Sequence, residues 1–466
     1  MSTHPAGPRS ASISAPAVTV ASADEAQRAD VWPETARWEL DGLHIGGVSA
    51  EDLAESFGTP LFVMDEQTVR HRARDYKRAY AGHRVFYAAK AFFSIDLARW
   101  MMQEGIGIDV CTLGELHVAL AAGVPGEMLL MHGNNKSLEE LEAAVDARVG
   151  YIVVDSFEEI QRLTNIAIQR LTPVNVLVRV TVGVEAHTHE FIATAHEDQK
   201  FGFSLATGAA KAAAMLVDEV PGLRFAGLHS HIGSQIFDEQ GFLIAVSRLV
   251  RLCAELKHEG VEVSHLNLGG GAGIAYLPSD DPATIEDLAG KLISAVEQEC
   301  DRAGVEHPII MVEPGRSIVG PAGVTLYSVG SIKPVTVSHD VVRWYVSVDG
   351  GMSDNIRTAL YDADYTIAHA MRLAYSEMEQ HLVRVVGKHC ESGDIVVKQA
   401  KLLADVVPGE VLAVAATGAY CRSMASNYNH TPRPAVVSVC DGTARVMLRR
   451  ETVQDLLALD EGKSAS

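Results

Sequence analysis

From Arg84 onward the chain alternates short aliphatic and β-branched runs with longer segments whose apolar residues fall at helical spacing. The runs are VFYAAK, IGIDV, MLLMHG, YIVVD, VNVLVRV, FAGLHSHIG, HLNLGGG and IIMVEPG. Strand-like runs separated by helical segments are the pattern of a parallel α/β sheet. Eight of them is the number that closes a (β/α)₈ barrel. The intervening TLGELHVALAAGV and SLEELEAAVDARV start from Thr112 and Ser137, whose side chains suit helix N-caps. Nearly every run ends on residues that an apolar core does not require: Lys90, Asp109, His132 and Gly133, Asp155, Arg179, His231, Gly269 to Gly271, and Glu313. In such barrels the strand C-termini carry the active site, so these endings are expected to converge at one mouth.

After Gly320 the pattern changes to strand-like pieces with turn punctuation, VTLYSVGSIKPVTV, RWYVSVDGG, EVLAVAATGAY and PAVVSVCDGTARVMLRR. These predict a separate, mainly β domain. The earlier segment ARWELDGLHIGGVS is a candidate further strand of it, which would bring the two chain ends into one domain. The expected fold is therefore α/β, a TIM-like (β/α)₈ barrel with a second, mainly β C-terminal domain. The boundaries read as a disordered tail over 1–37, an N-terminal segment over 38–57 packing with the β domain, the barrel over 58–322, the β domain over 323–457 and a short tail over 458–466.

Composition narrows the function classes. A chain of 466 residues exceeds what one core usually supports. With 47% hydrophobic and 21% charged residues it excludes collagen-like, coiled-coil and wholly disordered classes. A formal charge of -21 argues against nucleic acid or an anionic membrane as partner and leaves small molecules or other subunits. The six cysteines are scattered without a CxxC pair, which disfavours disulfide frameworks and zinc ribbons and suits a reducing cytoplasm. Residues 1–37 are rich in Ala, Ser, Thr and Pro and lack the apolar core of a signal peptide; a transit peptide is the alternative to a disordered tail.

Taken singly, the candidate residues each admit a plain structural reading. Lys90 could solvate a strand end, yet in an apolar run desolvation would lower its pKa and favour attack on a carbonyl. Gly269, Gly270 and Gly271 form either a tight turn or a loop whose backbone N–H groups approach a phosphate. Glu313 could pair with Arg316 for stability alone. Arg316, Arg357 and Tyr361 suit a carboxylate, which guanidinium forks bind bidentately, although a single Arg is more often in a surface ion pair. The histidines His187, His189 and His196 invite a zinc reading, but no Cys lies near and the spacing matches no familiar motif, so no metal is expected. Cys390, set against Glu391 in KHCESGD, could be an inert packed thiol.

Taken together, YAAKA, GNNK, THEFIATAHEDQKFGF, HSHIGSQ, LGGG, EPGR, IRTALY, CESGD and GAYC occur in one order across Trp38 to Leu457. In that order they resemble the pyridoxal-phosphate enzymes of the alanine racemase-like barrel fold, within them the diaminopimelate decarboxylase family, and most closely its actinobacterial branch. YAAKAFF departs from the pattern of many relatives, which have Asn soon after the lysine. The resemblance implies a pyridoxal 5'-phosphate cofactor borne by Lys90. Its phosphate would be held by Gly269 to Gly271, Ser234, and Gly315 and Arg316 of EPGR, with Tyr420 near both phosphate and substrate. Glu313 would partner the ring nitrogen, His231 would stack on the ring, and Asp109 and Arg179 would be polar neighbours, while Cys421 would be a packing bystander. THEFIATAHEDQKFGF would be a mobile loop near the mouth. Arg316, Arg357 and Tyr361 would take the substrate carboxylate remote from decarboxylation. Cys390 would donate the proton that replaces the lost carboxylate, and Glu391 would bind the far ammonium, both from the neighbouring subunit of a homodimer. The implied reaction is decarboxylation of meso-2,6-diaminopimelate at its D centre to L-lysine and CO₂, the last step of lysine biosynthesis. The rivals are decarboxylation of ornithine, arginine or a carboxylated polyamine, a racemase, and a non-enzymatic pyridoxal-phosphate carrier.

Overall fold

A computed structural model describes residues 20–184, 200–338 and 341–462. The apolar runs become barrel strands β1 (Arg84–Ala88), β2 (Gly107–Val110), β3 (Leu129–Met131), β4 (Tyr151–Val154), β5 (Val174–Thr181), β6 (Leu223–His229), β7 (His265–Asn267) and β8 (Ile309–Val312). Each pairs in parallel with the next, and β8 returns to β1 through Met311 opposite Arg84, so the eight strands close into a barrel. The helices between them start where the sequence places caps: Thr112 Oγ1 accepts from the Glu115 N–H, and Ser137 with Glu140 forms a capping box.

Side chains alternate along a strand, so each strand sends every second residue inward. Phe86, Leu130, Tyr151, Val153, Leu177, Ala226 and Met311 form a separate apolar cluster that plugs the barrel. The intervening residues, among them Tyr87, Ile108, Met131, Val154, Val178 and Val312, join the large cluster beneath the surrounding helices. One inward step beyond the plug the residues are polar: His132 follows Leu130, Asp155 follows Val153, Arg179 follows Leu177 and Glu313 follows Met311. The barrel thus ends in a polar layer at its C-terminal face.

Lys136 of GNNK braces this layer from outside the barrel. It is 2% exposed, and its ammonium donates to Gly133 O (2.8 Å), Val153 O (2.6 Å) and Glu159 Oε1 (2.6 Å). The other Glu159 oxygen accepts from the Asp155 N–H at 3.1 Å.

The β domain corrects one expected boundary and one candidate strand. Leu61–Asp65 is not part of the barrel; it lies between strands Gly323–Ser338 and Ala435–Cys440 of the second sheet. All five of its residues are buried, which suits a central strand. The barrel unit therefore begins with the helix Glu66–Ala79. Nor does ARWELDGLHIGGVS add a strand to that sheet: Arg37–Glu39, Gly42–Ile45 and Val48–Ser49 make their own small antiparallel sheet. Its Leu43 and Ile45 still pack with Val324, Ala413 and Val437, so the chain ends do share one core.

The expected disordered tail over 1–37 is also corrected from Val20 onward; residues 1–19 lie outside the described set. Ala23–Arg28 is a helix capped by Ser22 and Glu25, and the Gln27 amide donates to Arg372 O at 2.9 Å and accepts from the Ala374 N–H at 2.9 Å. Trp32 Nε1 closes the segment on Ala26 O. A composition rich in Ala, Ser, Thr and Pro hid a segment that docks by burying Ala23, Ala26, Val31 and Trp32 and by hydrogen bonds of the Gln27 and Trp32 side chains to the backbone.

Removing one partner of a buried ion pair strands the other, at a cost of about 3–5 kcal/mol. Lys136→Met should lose stability on that scale in chemical denaturation, and Lys136→Met with Glu159→Leu should recover most of it. Equal losses in both variants would mean the pair does not brace the layer.

Candidate active site

The polar layer centres on Glu313, buried at the end of β8. Its Oε1 accepts from His132 Nε2 at 2.7 Å and from Asn267 Nδ2 at 2.7 Å, while Oε2 has only His229 Nε2 at 3.4 Å. Burial opposes the charge, but the two histidines outweigh it and hold the carboxyl well below its ordinary range. Burial drives His229 the other way, down to about 3. The arrangement is an ionised carboxylate with one oxygen fully engaged and the other free to accept. The alternative, a Glu313–Arg316 pair made for stability alone, does not occur; Arg316 instead donates to Tyr276 and Ser234.

Lys90 stands beside Asp109, its side chain reached by solvent through the cavity yet enclosed by protein. Burial alone would lower its pKa. The Asp109 carboxylate, with Tyr420, Cys111 and Glu313, more than offsets this and raises it. Desolvation therefore does not set the charge of this amine, contrary to the sequence-based expectation. Asp109 itself is pushed up by burial, and its Oδ2 has no hydrogen-bond partner.

Lys90, His231, Ser234, Gly270, Gly271, Glu313, Gly315, Arg316, Arg357, Tyr361 and Tyr420 line one cavity of about 600 Å³. Asp109 and Arg179 lie in the polar layer, where Arg179 packs over Phe201 with its Cζ 4.2 Å from the ring centroid. Gly269 is buried, and its N–H is bound by Asn267 Oδ1 at 2.8 Å. The glycines have a packing reason as well as an open one: a Cβ on Gly270 would lie 2.1 Å from Glu313 O. Gly270 N–H points at His231 Nδ1 from 3.3 Å.

The β domain closes the cavity. The Tyr420 backbone has φ 59°, a left-handed conformation uncommon for a bulky residue, and its N–H donates to Ala91 O at 2.8 Å, next to Lys90. Arg357 opens the short helix Arg357–Tyr361 and is 6% exposed, whereas Tyr361, one turn on, is 62% exposed. Arg357 forms no salt bridge among the described residues, and its Nε and Nη1 lack hydrogen-bond partners.

Cys390 and Glu391 do not line this cavity and are exposed at the tip of their turn. Asp394 fixes that turn by accepting the Met352 and His389 N–H groups at 2.6 and 2.8 Å. His187, His189 and His196 lie outside the described residues.

Sequence reasoning missed Asn267 and His229 as members of the site. Both signals were present: Asn267 stands two residues before Gly269, and His229 two before His231, the step that keeps side chains on one face.

These residues fit pyridoxal phosphate. An amine stands in the cavity, a carboxylate oxygen with one long contact awaits a ring N–H, an imidazole offers a flat face, and Ser234, Arg316 and the glycine loop offer phosphate donors.

Residues 66–320 match the family described as pyridoxal-dependent decarboxylase, pyridoxal binding domain. The diaminopimelate decarboxylase of Mycobacterium leprae is 52% identical over 472 residues, covering 99% of this chain and 100% of the relative. That of Bacillus subtilis is 47% identical over 423 residues, covering 90% and 95%. The crystal structure of diaminopimelate decarboxylase from M. jannaschii in co-complex with L-lysine has a TM-score of 0.85 at 34% identity, covering 92% of this chain and 98% of that one.

Three residues before Arg357, burial pushes the Asp354 carboxyl up to about 7, against the bonds it accepts from Tyr327 Oη and the Gly351 N–H. A carboxyl raised on folding keeps its proton in the folded chain after the unfolded chain has lost it. Folding stability should thus fall as pH rises from about 4 to about 7 and level off above that. Stability of Asp354→Asn measured against pH should show a flatter slope than wild type in this window; parallel slopes would contradict the assignment.

Proposed function

This chain belongs to the diaminopimelate decarboxylases of the pyridoxal-dependent decarboxylase family, and we propose that it converts meso-2,6-diaminopimelate to L-lysine and CO₂ on pyridoxal phosphate. The observation that carries the substrate assignment is Arg357, a buried cation with free N–H groups on the wall that also holds Arg316. A substrate that keeps one carboxylate while losing another supplies its missing counter-charge. Ornithine and arginine, which lose their only carboxylate, would leave it unpaired.

In this reading Lys90 would carry the cofactor and Glu313 Oε2 would accept from its ring nitrogen, with His132 and Asn267 fixing the carboxylate through its other oxygen. His231 covers the ring face. When bound, pyridoxal phosphate supplies the sink for the electron pair left by departing CO₂. Ser234, Gly270, Gly271 and Gly315 would hold the phosphate, with Tyr420 beside it, while Asp109 and Arg179 set the charge around Lys90 and His231. Arg316, Arg357 and Tyr361 hold the carboxylate that the product retains.

Cys390 Sγ holds the proton delivered to the carbon that loses CO₂, and Glu391 accepts from the far ammonium. Both reach the cavity from a second copy in a two-fold dimer. Exposure at Cys390, Tyr361 and Leu360, and the absence of Cys390 and Glu391 from their own chain's cavity, support this composite site. The cytoplasm is the proposed location: all six cysteines are free. Among the described residues no helix is long and apolar enough to cross a membrane.

Purified protein supplied with pyridoxal phosphate should release lysine and CO₂ in equal amounts from meso-diaminopimelate and leave L-ornithine and L-arginine untouched. Turnover of ornithine or arginine in its place would keep cofactor and fold but overturn the roles of Arg357, Tyr361 and Glu391.

A further inference from the structure

The two arginines of the cavity wall meet on one side chain that none of the sequence motifs singled out. Tyr276, 4% exposed, accepts from Arg316 Nη1 through its phenol oxygen at 2.5 Å. Its ring face carries the Arg357 guanidinium, whose Cζ lies 3.8 Å from the ring centroid. Tyr365 meets the Tyr276 ring edge-on at 5.5 Å and stands 5.1 Å from the Arg357 Cζ. Arg316 is held on its other side by Ser234 Oγ at 3.0 Å and lies over Tyr420 at 4.6 Å.

Tyr276 is itself fixed from both domains. Its N–H donates to Asp280 Oδ2 at 2.9 Å within the barrel loop, and its carbonyl accepts from Thr366 N–H at 3.0 Å and Thr366 Oγ1 at 2.8 Å in the β domain. Two guanidiniums this close repel each other, and an acidic residue between them would neutralise the pair and consume its donors. A phenol does neither: its oxygen accepts one hydrogen bond and its π face attracts the second cation, with no net charge added. Arg316 Nε, Arg357 Nε and Arg357 Nη1 stay without partners.

We infer that Tyr276 is a positioning residue whose phenol oxygen and ring face hold Arg316 and Arg357 together as a two-guanidinium clamp for the carboxylate that the product retains. This rests on the decarboxylase reading above. Tyr276 touches neither the cofactor nor the reacting carbon; it acts through the arginines. Its removal should therefore weaken ligands that carry the retained carboxylate and spare those that lack it.

The test uses the pyridoxal-phosphate-loaded enzyme and two product-like ligands, L-lysine and cadaverine, which share a diamine chain and differ by that carboxylate. In calorimetric titration, Tyr276→Phe should weaken L-lysine by about tenfold and leave cadaverine within about twofold, the scale of one lost hydrogen bond to a charged group. Tyr276→Leu, which also removes the π face, should weaken L-lysine about threefold further. KM for meso-diaminopimelate should rise with the lysine dissociation constant, and kcat should move less than KM. Equal weakening of both ligands, or no change in either, overturns the inference. Because Phe keeps the ring and its packing, that variant decides the matter if the Leu variant fails to fold. A wild-type enzyme inactive on meso-diaminopimelate would overturn the decarboxylase reading, while the lysine-to-cadaverine ratio would still judge the clamp.

Discussion

A strand in a closed barrel can point its side chains only inward or outward, and the position of the site follows from that restriction. Four strands spend their inward positions first on the apolar plug, at Leu130, Val153, Leu177 and Met311, then on one polar residue at the C-terminal end, His132, Asp155, Arg179 and Glu313. The polar groups are thereby gathered over a dry floor, where hydrogen bonds to Glu313 are not diluted by water. Without the plug, Glu313 would be a solvated carboxylate. With it, His132 and Asn267 fix one oxygen and leave the other as an acceptor.

Charge is distributed unevenly in a way the whole-chain balance conceals. A protein of formal charge -21 lines the site cavity with Lys90, Arg316 and Arg357. The anionic groups near them are deep in the floor, at Asp109 and Glu313, where they act on Lys90 and on the proposed ring nitrogen. Lys90 stands among them, while Arg316 and Arg357 stand at the wall, where an anionic phosphate and a substrate carboxylate would bind.

Much of this was legible in the sequence because barrel strands buried on both faces are written as continuous apolar runs, and because their polar endings break those runs visibly. All eight barrel strands and the cavity position of Lys90 follow from such breaks, whereas Ser234, Arg316 and Arg357 follow from the motif resemblance. Asn267 and His229 were hidden because neighbouring glycines and His231 drew the same motifs to another purpose. Tyr276 was invisible for a different reason: an aromatic residue after a glycine loop reads as core, and only the fold brings two distant arginines onto it. The strand Leu61–Asp65 was misplaced because an apolar run does not state which sheet it joins. The charge of Lys90 went against the desolvation argument because the sum over Asp109, Tyr420 and Glu313 depends on distances that no sequence pattern carries.

The proposed catalytic unit is composite, with Lys90 from one subunit and Cys390 from the other. Mixing a Lys90→Ala chain with a Cys390→Ala chain under conditions that exchange subunits tests it directly. In the mixed dimer one cavity would regain both groups, and random pairing should restore about a quarter of wild-type decarboxylation. Activity no higher than that of the two separate variants, with exchange confirmed, would contradict the shared site and place both groups in one chain's cavity or remove Cys390 from the chemistry.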